Sequence, residues 1–279
     1  MFARLFLVLT LLIIPQTSFA KVRVVTSIAP IATLFSMIAE DKAEIFSLTS
    51  SSGCPHHYSL KPSDLKHASN ADLFVYIDNT FDTFALLLAH KAKADILRIS
   101  DINGLKLEKD NWHIWLLPEN AEAILKVAAS KLSALSPQDK EFFEANLAKN
   151  LHKMEILSRR RMAVISNIKN LVLLTDSAEY LFAGTEVLRL YKQDDYASIR
   201  MTNQLKELAK DRERWFVISS NQSLSKYRNL LNSDSNIVQL DTENWMLAGD
   251  LGSLYYRRYE EILDKMSACG ASQKNNYLD

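Results

Sequence analysis

The chain has 279 residues, in which 33 Lys and Arg balance 33 Asp and Glu. With no basic block, this neutral balance argues against nucleic acid or an anionic membrane as the main partner. Apolar side chains are 48% of the total and aromatics 9%, enough core for one large domain or two smaller ones, and no low-complexity tract or internal repeat is evident.

Residues 1–20 read as a secretory signal peptide. They carry one basic residue, Arg4, an apolar run Leu5–Ile14 too short to span a bilayer, and small residues at the −3 and −1 positions of Ser18-Phe19-Ala20. No Cys stands just after the cleavage point, so no lipoprotein anchor is expected, and no later segment reaches eighteen consecutive apolar residues. The expected product is a soluble periplasmic protein. Cys54 and Cys269 are far apart in the chain, and a disulfide or two free thiols are equally compatible with the sequence.

Val22–Ser27 is short and β-branched, a strand, and Ile31–Glu40 repeats Ile31, Leu34, Phe35 and Ile38 at helical spacing. Ala43–Thr49 alternates like a half-buried strand. The next stretch, Ser52–Asp64, places Cys54, His56 and His57 within four residues, with Gly53 and Pro55 breaking regular structure. Pro62-Ser63-Asp64 then opens a helix to Asn70, with Tyr58, Lys61 and Asp64 expected to fix the loop. The imidazoles therefore lie on a loop at the carboxyl end of a strand, where open α/β sheets bind ligands.

Leu73–Ile77 is an apolar run suited to a buried parallel strand, and Phe81–Lys91 a helix with Phe84, Leu87 and Leu88 on one face. Asp95–Ile99 is a fourth strand. A polar connector, Asp101–Asn111, leads to Trp112-His113-Ile114-Trp115-Leu116, and Pro118 opens the helix Glu119–Leu135. Ser136-Pro137-Gln138-Asp139 is a strong helix start, and no Gly or Pro follows before about Asn167. Within that long helix Arg159-Arg160-Arg161 reads as a solvated face. The pattern then restarts: strands at Asn170–Thr175, Glu186–Tyr191, Arg214–Ser219 and Asn236–Leu240 alternate with helices at Ser177–Phe182, Thr202–Lys210, Leu224–Leu231 and Asp250–Met266.

The expected fold is α/β: two similar lobes, each a parallel sheet flanked by helices, linked by one long rigid helix. The divisions are residues 1–20 for the signal peptide, 21–136 for the N-terminal lobe, 137–168 for the linking helix and 169–279 for the C-terminal lobe.

Over essentially the whole mature chain the sequence resembles the substrate-binding receptors of zinc and manganese ABC importers, the TroA-like metal receptors. The resemblance is carried by Val24-Val25-Thr26-Ser27-Ile28-Ala29-Pro30, by His-x-Tyr-x-Leu-x-Pro-Ser-Asp from His56, and by Asn70-Ala71-Asp72-Leu73. It continues through His113-Ile114-Trp115-Leu116 with Pro118, the long helix, and Leu240-Asp241. It implies a metal held between the lobes by His56 and His113 from the first and Asp241 from the second. Two neutral imidazoles and a carboxylate suit Zn²⁺ first, with Mn²⁺ or copper possible.

One position departs from the family. Where members carry a third His or a Glu, after the first strand of the second lobe, this chain has Thr175 in Leu174-Thr175-Asp176-Ser177. Asp101–Asn111 also lacks the His-rich loop of the zinc receptors. Either His57, Cys54 or Asp176 rebuilds the site, or three protein ligands and water form a weaker one, or the chain keeps the fold for another binding role. A metal-dependent hydrolase with Glu179 as base is disfavoured, because the chain has no His-Glu-x-x-His and no Gly-x-Ser-x-Gly. The reading is of a non-enzymatic, monomeric periplasmic receptor that captures a divalent transition metal, zinc first, and hands it to an inner-membrane ABC permease.

Overall fold

Parallel strands need helical crossovers, and this chain supplies them twice in the same arrangement. In the computed structural model, which describes residues 20–49, 58–108, 111–191 and 199–275 (backbone only for 270–275), each half forms a four-stranded parallel sheet. The first has the order β2-β1-β3-β4, with β1 Val22–Ile28, β2 Ala43–Thr49, β3 Leu73–Tyr76 and β4 Asp95–Arg98. The second repeats it as β6-β5-β7-β8, with β5 Leu171–Leu173, β6 Leu188–Arg189, β7 Trp215–Ser219 and β8 Asn236–Leu240. The helices are α1 Ala29–Ala39, α2 Pro62–Ser69, α3 Thr83–Ala89, α4 Pro118–Leu135, α5 Lys140–Ile165, α6 Ile199–Leu208, α7 Leu224–Leu230 and α8 Leu254–Asn275. The expected signal segment, Cys54, His56 and His57 lie outside the described residues.

The period-2 alternation of strand side chains decides where each core lies. Val24, Leu73 and Val75 face a central core with α1, α4 and α5, while Val25, Phe74 and Tyr76 face a smaller one under α2 and α3. In the second sheet Leu171, Leu173 and Val217 join the same central core, and Val172, Phe216 and Ile218 face α6 and α7. One apolar layer therefore runs from the inner face of one sheet to that of the other, through the helices between them.

Helix α5 runs for 26 residues, roughly 39 Å at 1.5 Å per residue. A 3₁₀ turn, Pro137–Asp139, occupies the start expected for it. Asn146 and Asn150, four apart, lie on one face and cap the end of α1: their Nδ2 groups donate to Ile38 O at 3.0 Å and Met37 O at 2.9 Å. These are last-turn carbonyls with no intrahelical donor, so polar side chains in the core have a definite task here.

Helix α8 starts at Leu254 rather than Asp250, whose side chain instead accepts from Gly252 N–H in a turn. It packs back on the first half, where Tyr255 and Tyr259 are fully buried. Their hydroxyls donate to Trp115 O at 2.5 Å and Leu116 O at 2.7 Å. Cys269 is a free thiol on this helix, and burial pushes its pKa up to about 12.

Several expectations are corrected. The basic triplet is a solvated face only in part: Arg159 and Arg160 are exposed, the latter paired with Glu260 and Asp264 of α8, but Arg161 is buried and donates to Leu181 O and Ala183 O. A guanidinium can satisfy carbonyls that no backbone donor reaches, and Arg161 does this for the 3₁₀ turn after β5. Leu87 is exposed, since α3 spans only Thr83–Ala89 and buries Phe84, Ala85, Leu88 and Ala89. Residues 177–182 form a 3₁₀ turn over Glu179–Phe182, and the strand expected at Glu186–Tyr191 contracts to the two-residue edge strand β6.

Two substitutions test this packing. Asn150→Ala leaves the buried Met37 carbonyl without its donor and should lower stability to urea by about 1–3 kcal/mol. A change below about 0.5 kcal/mol, typical of an indifferent surface site, would remove its capping role. Tyr255→Phe deletes only the hydroxyl on Trp115 O and should also cost about 1–3 kcal/mol. An unmoved midpoint would mean that Trp115 O has another partner.

Candidate metal centre

On the first-lobe side, Asp64 does the work expected of the loop before α2. Its carboxylate is buried and accepts from Tyr58 Oη at 2.9 Å and Lys61 N–H at 2.8 Å, closing the turn that opens the helix. Burial and the adjacent Asp64 carboxylate push the Tyr58 phenol above its ordinary range.

His113 lies just before a 3₁₀ turn, Ile114–Leu116, and is only 6% exposed. Its ring is 5.3 Å from that of Trp115 and edge-on to Phe81 at 5.7 Å, centroid to centroid. Asn111 determines its proton. Asn111 Oδ1 accepts from His113 N–H at 3.0 Å and contacts Nδ1 at 2.8 Å. A backbone N–H only donates, so the atom facing it is the amide oxygen, and Nδ1 must carry the hydrogen it shares with that oxygen. Asn111 Nδ2 donates to Asp176 O at 2.9 Å, and Tyr180 Oη donates to Asn111 O at 2.8 Å. Both partners come from the loop after β5, so the second lobe holds the group that orients His113.

The other ring nitrogen, Nε2, is thus left for something else. It faces Glu243 Oε1 at 2.9 Å, and the other carboxylate oxygen accepts from Asn221 Nδ2 at 2.9 Å. Both side chains are only 7% exposed. Residue 243 follows β8 on the loop that carries Asp241. Asp241 Oδ1 accepts from Asn244 N–H at 2.9 Å and from Ser220 Oγ at 3.3 Å, which fixes its carboxylate at the carboxyl ends of β7 and β8. Trp115 Nε1 donates to Thr242 O at 2.8 Å between these two acids.

Thr175 is buried and committed elsewhere. Its hydroxyl pairs with Ser177 Oγ at 2.9 Å and accepts from Ser177 N–H at 3.2 Å, and Thr242 Oγ1 donates to the same Ser177 hydroxyl at 2.9 Å. A hydroxyl chain thus closes where a metal-ligating side chain was expected. The Asp176 side chain is exposed while its carbonyl holds Asn111. Glu179 Oε1 pairs with Arg189 Nε at 2.5 Å, while its buried Oε2 has no hydrogen-bond partner among the described residues.

The structure therefore brings His113 to the loop of Asp241, but its direct contact is Glu243, while His56 lies outside the described residues. Among the described residues no three His, Cys, Asp or Glu side chains converge as a preformed metal cluster. Sequence reasoning missed Glu243. Its only signal was a second acid two residues past Asp241.

The match to the family described as "Zinc-uptake complex component A periplasmic" runs over residues 24–269. An uncharacterized protein of Rickettsia prowazekii (strain Madrid E) is 33% identical over 270 residues, covering 96% of this chain and 90% of that protein. The manganese ABC transporter substrate-binding lipoprotein PsaA of Streptococcus mitis is 25% identical over 274 residues, covering 88% of each. In fold, the chain superposes on the periplasmic zinc binding protein TroA from Treponema pallidum with a TM-score of 0.75 at 20% identity, over 90% of this chain and 99% of that one. The two-lobed architecture is that of the TroA-like receptors, and the chain belongs to the periplasmic zinc-uptake component A family.

Proposed function

We propose that this chain is a periplasmic receptor that captures a divalent transition metal, zinc first, between its two lobes and delivers it to an ABC permease. The carrying observation is the Asn111–His113 pair: with the hydrogen on Nδ1, the Nε2 lone pair is aimed at the acidic loop after β8. A metal-binding His usually donates its other ring N–H in this way, which fixes its tautomer. The zinc and manganese named for the relatives fit a site of imidazoles and carboxylates.

In this reading His56 and His113 ligate from the first lobe and Asp241 from the second, and residues 1–20 direct export. Binding shifts the lobes toward a closed arrangement through its greater affinity for that state, and docking on the permease reverses the shift. The chain acts as a monomer and is no enzyme. The lack of a His-Glu-x-x-His or Gly-x-Ser-x-Gly motif in the sequence favours this over a hydrolase.

The test is metal content of the purified mature protein by elemental mass spectrometry after exposure to equimolar Zn, Mn, Cu and Fe. One zinc per chain is expected, with affinity falling by well over about tenfold in His56→Ala and in His113→Ala. Zinc at 100 times its Kd should also stabilise the fold by about 2.7 kcal/mol, reversibly with chelator. A well-folded protein that takes up none of the four metals would overturn the reading.

A further inference from the structure

We infer that Glu243 is itself a ligand of the captured metal, supplying from the second lobe the donor that Thr175 cannot. The inference rests on the receptor reading above and names the residue that completes its site. The buried carboxylate oxygen lies 2.9 Å from His113 Nε2. With the ring hydrogen on Nδ1, the imidazole Nε2 and the carboxylate oxygen would meet there lone pair to lone pair. Only a cation between them, a proton or a metal ion, makes the contact attractive.

The geometry is close to what zinc requires. Two donors about 2.0–2.2 Å from a tetrahedral zinc are about 3.4 Å apart. The observed 2.9 Å must therefore open by about half an ångström. Glu243 is also held as a ligating carboxylate should be, with its second oxygen on Asn221 Nδ2, itself beside Asn244 through Asn221 Oδ1 at 2.7 Å. Thr175, by contrast, is neutral and bound into the Ser177–Thr242 hydroxyl chain. A carboxylate in place of a third imidazole makes the site harder, and moves its preference toward Zn²⁺ and Mn²⁺ and away from Cu(I).

The experiment compares the mature wild-type protein with Glu243→Gln and His113→Ala, using zinc affinity by chelator competition and the visible absorption of the cobalt(II) form. Glu243→Gln keeps the shape and the Asn221 contact, and thermal melting verifies its fold. The expected result is a loss of zinc affinity beyond about 100-fold, more than a merely supporting residue causes, with a changed cobalt spectrum. An unchanged cobalt spectrum in Glu243→Gln, whatever the affinity, overturns the assignment. If His113→Ala still abolishes binding in that case, the receptor reading stands without Glu243. A wild-type protein that binds neither zinc nor cobalt overturns both.

Discussion

Backbone carbonyls buried in an apolar core must find donors, and the turn after His113 finds them in the last helix. Trp115 O and Leu116 O accept from Tyr255 and Tyr259, and the Trp115 indole donates to Thr242 O. Leaving any of these groups unpaired would cost about 1–3 kcal/mol of desolvation. Their partners are 127 to 143 residues away in the chain, so His113 cannot be placed until both halves have folded together. The site is in this sense a product of the whole chain.

The same constraint shapes the motions available for capture. A shared core, a 26-residue helix and the crossing of α8 join the two sheets, so closure must be slight. Asn111 belongs to the first half yet is held by Asp176 O and Tyr180 Oη from the second. A small opening between the loops would carry both the ring and its acidic partner apart. A metal that bridges them would bias this equilibrium by as much as it prefers the closed spacing. Receptors that must also release their cargo benefit from such a modest difference.

Much of the fold was legible because period and punctuation agree. Ala43–Thr49 and Asn236–Leu240 are strands to the residue, and Pro118 opens α4 where proline suits a first turn. Legibility failed where tertiary contacts override local pattern. Arg161 looks like one of three surface arginines until the carbonyls of Leu181 and Ala183 claim it. Glu186–Tyr191 has the composition of a strand, but at a sheet edge only Leu188–Arg189 pair. In the site, Thr175 was visible as a departure and His113 as a candidate, each from its place in a motif. Glu243 was not, since an acid in a loop is ordinarily solvated and nothing local reveals a partner 130 positions away.

The central claim is that a metal ion sits on His113 at the seam between the two sheets. Anomalous diffraction at the zinc edge, from crystals of the zinc-loaded mature protein, tests it directly. The account predicts one peak per chain about 2.0–2.1 Å from His113 Nε2, with carboxylate oxygens from the loop after β8 on its other side. A peak elsewhere in the molecule, with His113 still turned to Glu243 and no density between them, would contradict it.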